Sequence, residues 1–204
     1  DRNLGATSTD SYDGYHFQWG NNHGFAPCTD SEECTTFPGG ETTSDTQVDA
    51  SGYGPRNPYS SDTFIIGNND WSSVQNDNLR GGANDSVSNN RGLDDIEDTA
   101  TERQGPCPDG YHVPSIGEWN KVVEYRAFEN GQTLKGSDLK YFSNLSNEYA
   151  FRSALKIMFA GYRDYSDGSM YNIGRYGVFW SSSPSSQFAR LMNVSYAGYV
   201  NADY

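Results

Sequence analysis

The chain has 204 residues and carries 27 Asp+Glu against 14 Lys+Arg, a formal charge of −13. This balance excludes nucleic acid as a partner, because a phosphate-backbone binder displaces counterions with clustered basic side chains, and it disfavours an anionic membrane surface for the same reason. Aromatics at 14% exclude a disordered acidic chain, and 22 glycines among abundant Asn, Asp and Ser exclude a helical bundle.

The chain opens at Asp1-Arg2-Asn3-Leu4 with no initiator Met and no leader, as expected of a piece of a longer, processed protein. Residues 1–26 read as short strands and turns: Tyr15 to Trp19 alternates, and Asn21-Asn22-His23-Gly24 breaks the pattern. Residues 27–103 form a long loop-rich insert in which Tyr53, Tyr59, Phe64, Ile65, Trp71 and Leu79 are isolated apolar anchors. A structureless loop of that length is uncommon in a compact domain, so a set of turns pinned by aromatics, with bound cations as a further tie, is expected. The longest apolar runs, Phe64-Ile65-Ile66 and Ile157-Met158-Phe159-Ala160, fall far short of the roughly 18 residues of a membrane span.

Ser115-Ile116-Gly117-Glu118 has the spacing of a capping box and predicts a helix. Trp119, Val122, Val123 and Arg126 give it one stripe at i, i+3, i+4 and i+7, Val113-Pro114 an extended entry, and Asn130-Gly131 a stop. A weaker helical stretch covers Glu148 to Ser153. Beyond it the texture turns to β: runs at Leu155 to Ala160, Gly177 to Ser181, Ala189 to Val194 and Tyr199 to Ala202, separated by turn residues, predict a small antiparallel sheet.

Cys28 and Cys34 lie six residues apart in a Thr/Asp/Ser/Glu loop, a span that closes into a small disulfide loop in an oxidising compartment; free thiols are the alternative. Neither has a C-x-x-C partner or a nearby histidine, which counts against a metal pair, and Cys107 is left over. A secreted or cell-surface location is preferred.

No catalytic residues are assigned. There is no G-x-S-x-G elbow, H-E-x-x-H helix or phosphate loop, and His16, His23 and His112 sit in contexts that suit packing. The run Asp94-Asp95 with Glu97-Asp98 reads as a solvated loop rather than a spaced acid–base pair. Hard oxygen donors make structural calcium the candidate cofactor, with Asn68, Asp70, Asp77, Asp94 and Asp95 as candidate ligands, although no EF-hand loop pattern is present.

Tyrosine with Ser, Gly and Asn is the composition of adaptable binding surfaces. Tyr111, Tyr162 and Tyr176 are expected to pack. The ligand-binding face is placed on the C-terminal strands, where Asn193, Ser195, Tyr196, Tyr199, Asn201 and Asp203 are displayed while Leu191 and Val194 point inward.

Five segments in order carry a resemblance: Asp1-Arg2-Asn3-Leu4-Gly5-Ala6; Gln18-Trp19-Gly20; Cys107-Pro108-Asp109-Gly110-Tyr111-His112-Val113-Pro114 with Glu118-Trp119; Ala160-Gly161-Tyr162-Arg163; and Gly177-Val178-Phe179-Trp180-Ser181-Ser182-Ser183. Together they resemble the bacterial major paralogous domain first named from Fibrobacter succinogenes, a branch of the C-type lectin-like fold related to formylglycine-generating enzymes and retroelement-diversified variable proteins. The resemblance implies an α+β, C-type lectin-like fold, with a small antiparallel sheet, one or two helices and long irregular loops. It further implies one domain over 1–204, incomplete at both ends, and a partner for Cys107 in a closing strand just past Tyr204. The oxidase chemistry of the formylglycine-generating relatives depends on paired C-terminal cysteines, and none follows Cys107.

The expectation is thus a non-catalytic extracellular ligand-binding and adhesion domain on a bacterial cell surface, with a surface protein or glycan as partner. The alternative is a self-assembling structural subunit of an extracellular filament or sheath.

Overall fold

The computed structural model describes residues 14–28, 40–68, 70–81, 103–129, 157–185, 188–195 and 200–202. Helix α1 (Ile116–Glu129) starts where the capping box places it. The Ser115 hydroxyl accepts the Glu118 amide at 3.1 Å, and the Glu118 carboxylate accepts the Ser115 amide at 2.7 Å, so two otherwise orphaned donors are satisfied reciprocally. His112 Nε2 meets the same carboxylate at 3.1 and 3.2 Å. The helix ends directly before the expected Asn130-Gly131 stop. Its inner line differs from the predicted stripe: Ile116 and Asn120 are buried, while Trp119 and Val122 flank them half-buried. The side chains of Val123 and Arg126 lie outside the described residues, as does the second helical stretch at 148–153.

Helix α1 packs against a three-stranded antiparallel sheet of β5 (Tyr176–Ser185), β6 (Phe188–Ser195) and β7 (Val200–Ala202), ordered β5-β6-β7. All three were legible as apolar runs. Strand alternation puts Met192 and Val194 on one buried face. Leu191 therefore faces the other way and is half-buried, which corrects its inward assignment beside Val194. Strand β5 slips register between Trp180 and Pro184. A smaller hairpin pairs β3 (Tyr162–Arg163) with β4 (Met170–Tyr171), and it is joined to β5 where Gly161 bridges Gly177 and donates to the Tyr176 carbonyl at 2.7 Å. Gly161 has φ +76°, and a Cβ there would sit 2.5 Å from the Tyr171 carbonyl oxygen, so only glycine fits. Ile157, Met158 and Phe159 are buried as expected, but the described part of the run at Leu155 to Ala160 forms no ladder.

The loop-rich segment supplies a core of its own. Ala50, Tyr59, Ile65, Trp71 and Leu79 form a buried cluster with Trp19, Val48 and Tyr53 packed against it. Tyr59 stacks on Trp71 with centroids 4.6 Å apart, so the aromatic anchors act as predicted. Among the described residues of this segment the strands form one parallel pair, β1 (Thr42–Ser44) with β2 (Thr63–Ile65). Side-chain amides extend it by imitating a backbone. Gln18 donates Nε2–H to the Ile65 carbonyl at 2.7 Å and accepts the Ile65 amide at 3.1 Å. Asn21 does the same across Ser61, at 3.0 and 3.1 Å. Asn76 donates to the carbonyls of Ala50 and Tyr53 and accepts the Asn78 amide. The amides of Gln18, Asn21 and Asn76 thus pair backbone groups that a loop would otherwise leave unpaired.

Each of the four tryptophans donates its indole N–H to a backbone carbonyl. Trp19 reaches Ser181 at 2.8 Å, Trp180 reaches Phe17 at 2.7 Å, Trp119 reaches Trp180 at 3.1 Å and Trp71 reaches Trp19 at 2.5 Å. These bonds fasten the N-terminal segment and α1 to β5. The architecture is a mixed α+β one, with small sheets, the described helix and long irregular connections.

Candidate functional site

The segments that the indoles draw together enclose a cavity of about 1060 Å³. Its walls come from residues 14–19, the loop around Asp70 to Arg80, the Pro106–Pro114 approach to α1, the Gly161–Tyr165 stretch, and β5 and β6. That volume lies at the upper end of the range of small-molecule sites, roughly 300–1,000 Å³. The lining is strongly aromatic, with Phe17, Trp19, Trp119, Tyr162, Phe179 and Trp180 among its residues.

Three of the lining aromatics are open to solvent: Tyr15 at 47%, Tyr111 at 71% and Tyr165 at 52% exposure. Tyr111 closes a turn by donating its amide to the Pro108 carbonyl at 3.0 Å. Tyr165 rides on a loop in which Asp164 Oδ1 accepts the Ser166 amide at 2.8 Å and its hydroxyl at 2.5 Å, while the Tyr165 carbonyl accepts the Gly67 amide at 2.9 Å. Tyr15 lies over Gly24, where a Cβ would come within 2.8 Å of its ring. The exposure of Tyr111 and of Tyr176, at 36%, corrects the expectation that both pack; Tyr162 is half-buried, and its hydroxyl accepts Asn172 Nδ2–H at 3.3 Å.

The two arginines of the lining are turned to the protein's own groups. Arg80 donates to Asn22 Oδ1 and, at 2.9 Å, to the Asn21 carbonyl, and burial pulls its guanidinium down to about 10 against the opposing pull of the Cys107 thiol. Arg163 donates to the Gly168 carbonyl at 2.9 Å and the Ala26 carbonyl at 2.6 Å; burial lowers its pKa, with Glu41 acting the other way. Desolvation and then Arg163 bring His16 down to about 3, so its imidazole is neutral across the physiological range. Burial pushes the Cys107 thiol up, with Arg80 opposing.

Of the candidate metal ligands, Asn68, Asp70 and Asp77 all line this cavity, whereas Asp94 and Asp95 lie outside the described residues. Asp70 Oδ1 accepts the Ser72 amide at 3.0 Å, Asp77 Oδ1 accepts Gln75 Nε2–H at 2.9 Å, and Asn68 donates to the Asp45 carbonyl at 3.4 Å. Burial raises the Asp70 pKa, the Ser72 amide opposes it, and the neighbouring Asp77 charge raises it further. Among the described residues no group of three or more His, Cys, Asp or Glu is arranged to hold a metal ion.

The proposed C-terminal face is not assembled by the residues described. Ser195 is only 5% exposed, which removes it from any displayed surface. Asn193 is half-buried with its Oδ1 buried and without a partner among the described residues, and Asn201 pairs opposite it in β7. Tyr196, Tyr199 and Asp203 lie outside the described residues, as does Cys34; of the two described cysteines Cys107 is the free one. Sequence reasoning missed Tyr15, Tyr111 and Tyr165. The available signal was an aromatic set directly against turn formers, Asp109-Gly110-Tyr111 and Asp164-Tyr165-Ser166, where a side chain has little to pack against.

Comparison with protein-family models, with curated proteins and with solved structures finds no match.

Proposed function

We propose that the chain is a non-catalytic, extracellular ligand-binding and adhesion domain of C-type lectin-like type, related to the bacterial major paralogous domain, that receives a surface protein or glycan in the aromatic cavity. The observation that carries the reading is the convergence of Tyr15, Tyr111 and Tyr165, all solvent-open, on one concave site. Tyrosine gives large contact area at low entropic cost, and solvent-open aromatics gathered on a concavity mark an interaction site rather than a core. The guanidiniums of Arg80 and Arg163 in the lining are engaged by the protein's own groups, which leaves recognition to the aromatic rings. An acidic composition and the spacing of Cys28 and Cys34 suit an oxidising, extracellular setting.

The test is the double substitution Tyr111→Ala/Tyr165→Ala. On a panel of immobilised glycans and extracellular proteins it is expected to lose at least tenfold in affinity for whichever ligand the parent chain binds, with an unchanged far-UV circular dichroism spectrum and thermal midpoint. A parent chain that binds nothing on the panel and forms open-ended polymers in light scattering would replace this reading with the filament subunit.

A further inference from the structure

We propose that the ligand of this cavity is a non-acidic oligosaccharide, neutral or amino-bearing, of several sugar rings; this rests on the ligand-binding reading above and narrows it. Three observations combine. The solvent-open rings of Tyr15, Tyr111 and Tyr165 are flat, rigid platforms, and a pyranose presents a C–H face that packs on such a ring. The same lining supplies acceptors: the carboxylates of Asp70, Asp77 and Asp164, whose Oδ1 atoms already accept Ser72, Gln75 and Ser166, and the Asn68 and Gln75 amides. Sugar hydroxyls are donors in need of such oxygens, and an ammonium group is a better one. A proline-rich peptide also docks in aromatic-lined grooves, but it brings no run of hydroxyl or ammonium donors to meet these oxygens.

Charge decides among glycans. The carboxylates of Asp70, Asp77 and Asp164 outnumber the guanidiniums of Arg80 and Arg163 in the lining. The cations that line the same cavity, Arg80 and Arg163, already donate to Asn22, Asn21, Gly168 and Ala26. A uronic acid, sialic acid or sulfate would enter against this field and against the charge of −13 on the chain. The volume of about 1060 Å³ exceeds what one ring fills, so chain length should raise affinity.

The experiment probes the full chain on a printed array of neutral, amino-bearing and acidic oligosaccharides, followed by titration of glucosamine, neutral glucose and galacturonic acid hexamers, with and without chelator. The expected result is binding of neutral or amino-bearing oligomers, at least tenfold weaker binding of the acidic hexamer, and a rise in affinity from dimer to hexamer. Tyr111→Ala/Tyr165→Ala should remove the binding while the thermal midpoint holds, and Asp70→Asn/Asp77→Asn should narrow the gap between amino-bearing and acidic ligands by at least fivefold. Tighter binding of the acidic hexamer, or retained affinity in the tyrosine variant, overturns the inference. So does an array with no bound sugar; if a protein ligand is then lost in the tyrosine variant, the binding reading survives and only the glycan assignment falls.

Discussion

The Ile116 amide donates to the Ser183 hydroxyl at 3.1 Å across 67 residues of sequence, so the first turn of α1 is capped partly by strand β5. Ser182 completes the junction, its amide reaching the Pro114 carbonyl at 2.8 Å and its hydroxyl accepting from Arg103 at 2.7 Å. The fully buried serines 181–183 are therefore hydrogen-bonding hubs at the place where helix, sheet and loop meet. Ser183→Ala leaves a buried helix-terminal donor without its acceptor and should cost about 1–3 kcal/mol. Urea titration checks this, with Ser73→Ala, an exposed position, expected to stay within about 0.5 kcal/mol of the parent.

Gln18 is read by Ile65 as a stretch of neighbouring strand. Gln18→Glu keeps the shape but puts a carboxylate oxygen against the Ile65 carbonyl. The penalty should be about 1–3 kcal/mol at neutral pH. It should shrink as pH falls through the raised pKa of the new acid, because the protonated form regains a donor; unfolding at pH 7 and pH 4 is the comparison.

His16 sets an acid limb. Its folded-state pKa of about 3 lies below the ordinary value of 6.5, so between those two the unfolded chain binds a proton that the folded chain refuses. Stability then rises with pH across this window and is lost on acidification, by up to about 1.4 kcal/mol per pH unit from this one group. His16→Phe keeps a ring and removes the titration, and should flatten the pH 6.5 to 4 limb of the thermal midpoint. An equally steep limb in the variant would assign the acid sensitivity elsewhere.

Calcium, if it orders the Asn/Asp loop, should add stability by mass action. Chelator would then lower the melting temperature by several degrees and speed proteolysis between Cys34 and Arg103, and calcium should restore both. Unchanged melting in chelator would leave the aromatic cluster and the amide bridges of Gln18, Asn21 and Asn76 as sufficient ties.

Local signals were legible and long-range ones were not. The capping box at Ser115 and Glu118, the stop after Glu129 and the runs of β5, β6 and β7 depend on neighbours in sequence, and the structure bears them out. The anchors Tyr59, Phe64, Ile65, Trp71 and Leu79 were found because an apolar side chain in a polar loop has one plausible use. The pairing of Gln18 with Ile65 was invisible, since an amide that mimics backbone has the same letter as one in solvent. The cavity was invisible for a related reason: its walls lie more than 150 residues apart in sequence, from Tyr15 to Leu191, and no local pattern joins them. Alternation did expose one face of β6, but burial of Ser195 follows from tertiary cover that period two does not encode.

The indole bonds from Trp19 to Ser181 and from Trp180 to Phe17 span 162 and 163 residues. Closing loops of that size costs entropy before the contacts return anything, and such topologies reach the native state slowly. A chain emerging from a ribosome cannot lock Phe17 and Trp19 in place until β5 is made. Until then the future cavity walls contributed by the N-terminal segment are solvent-facing aromatic surface, open to chaperone capture or aggregation.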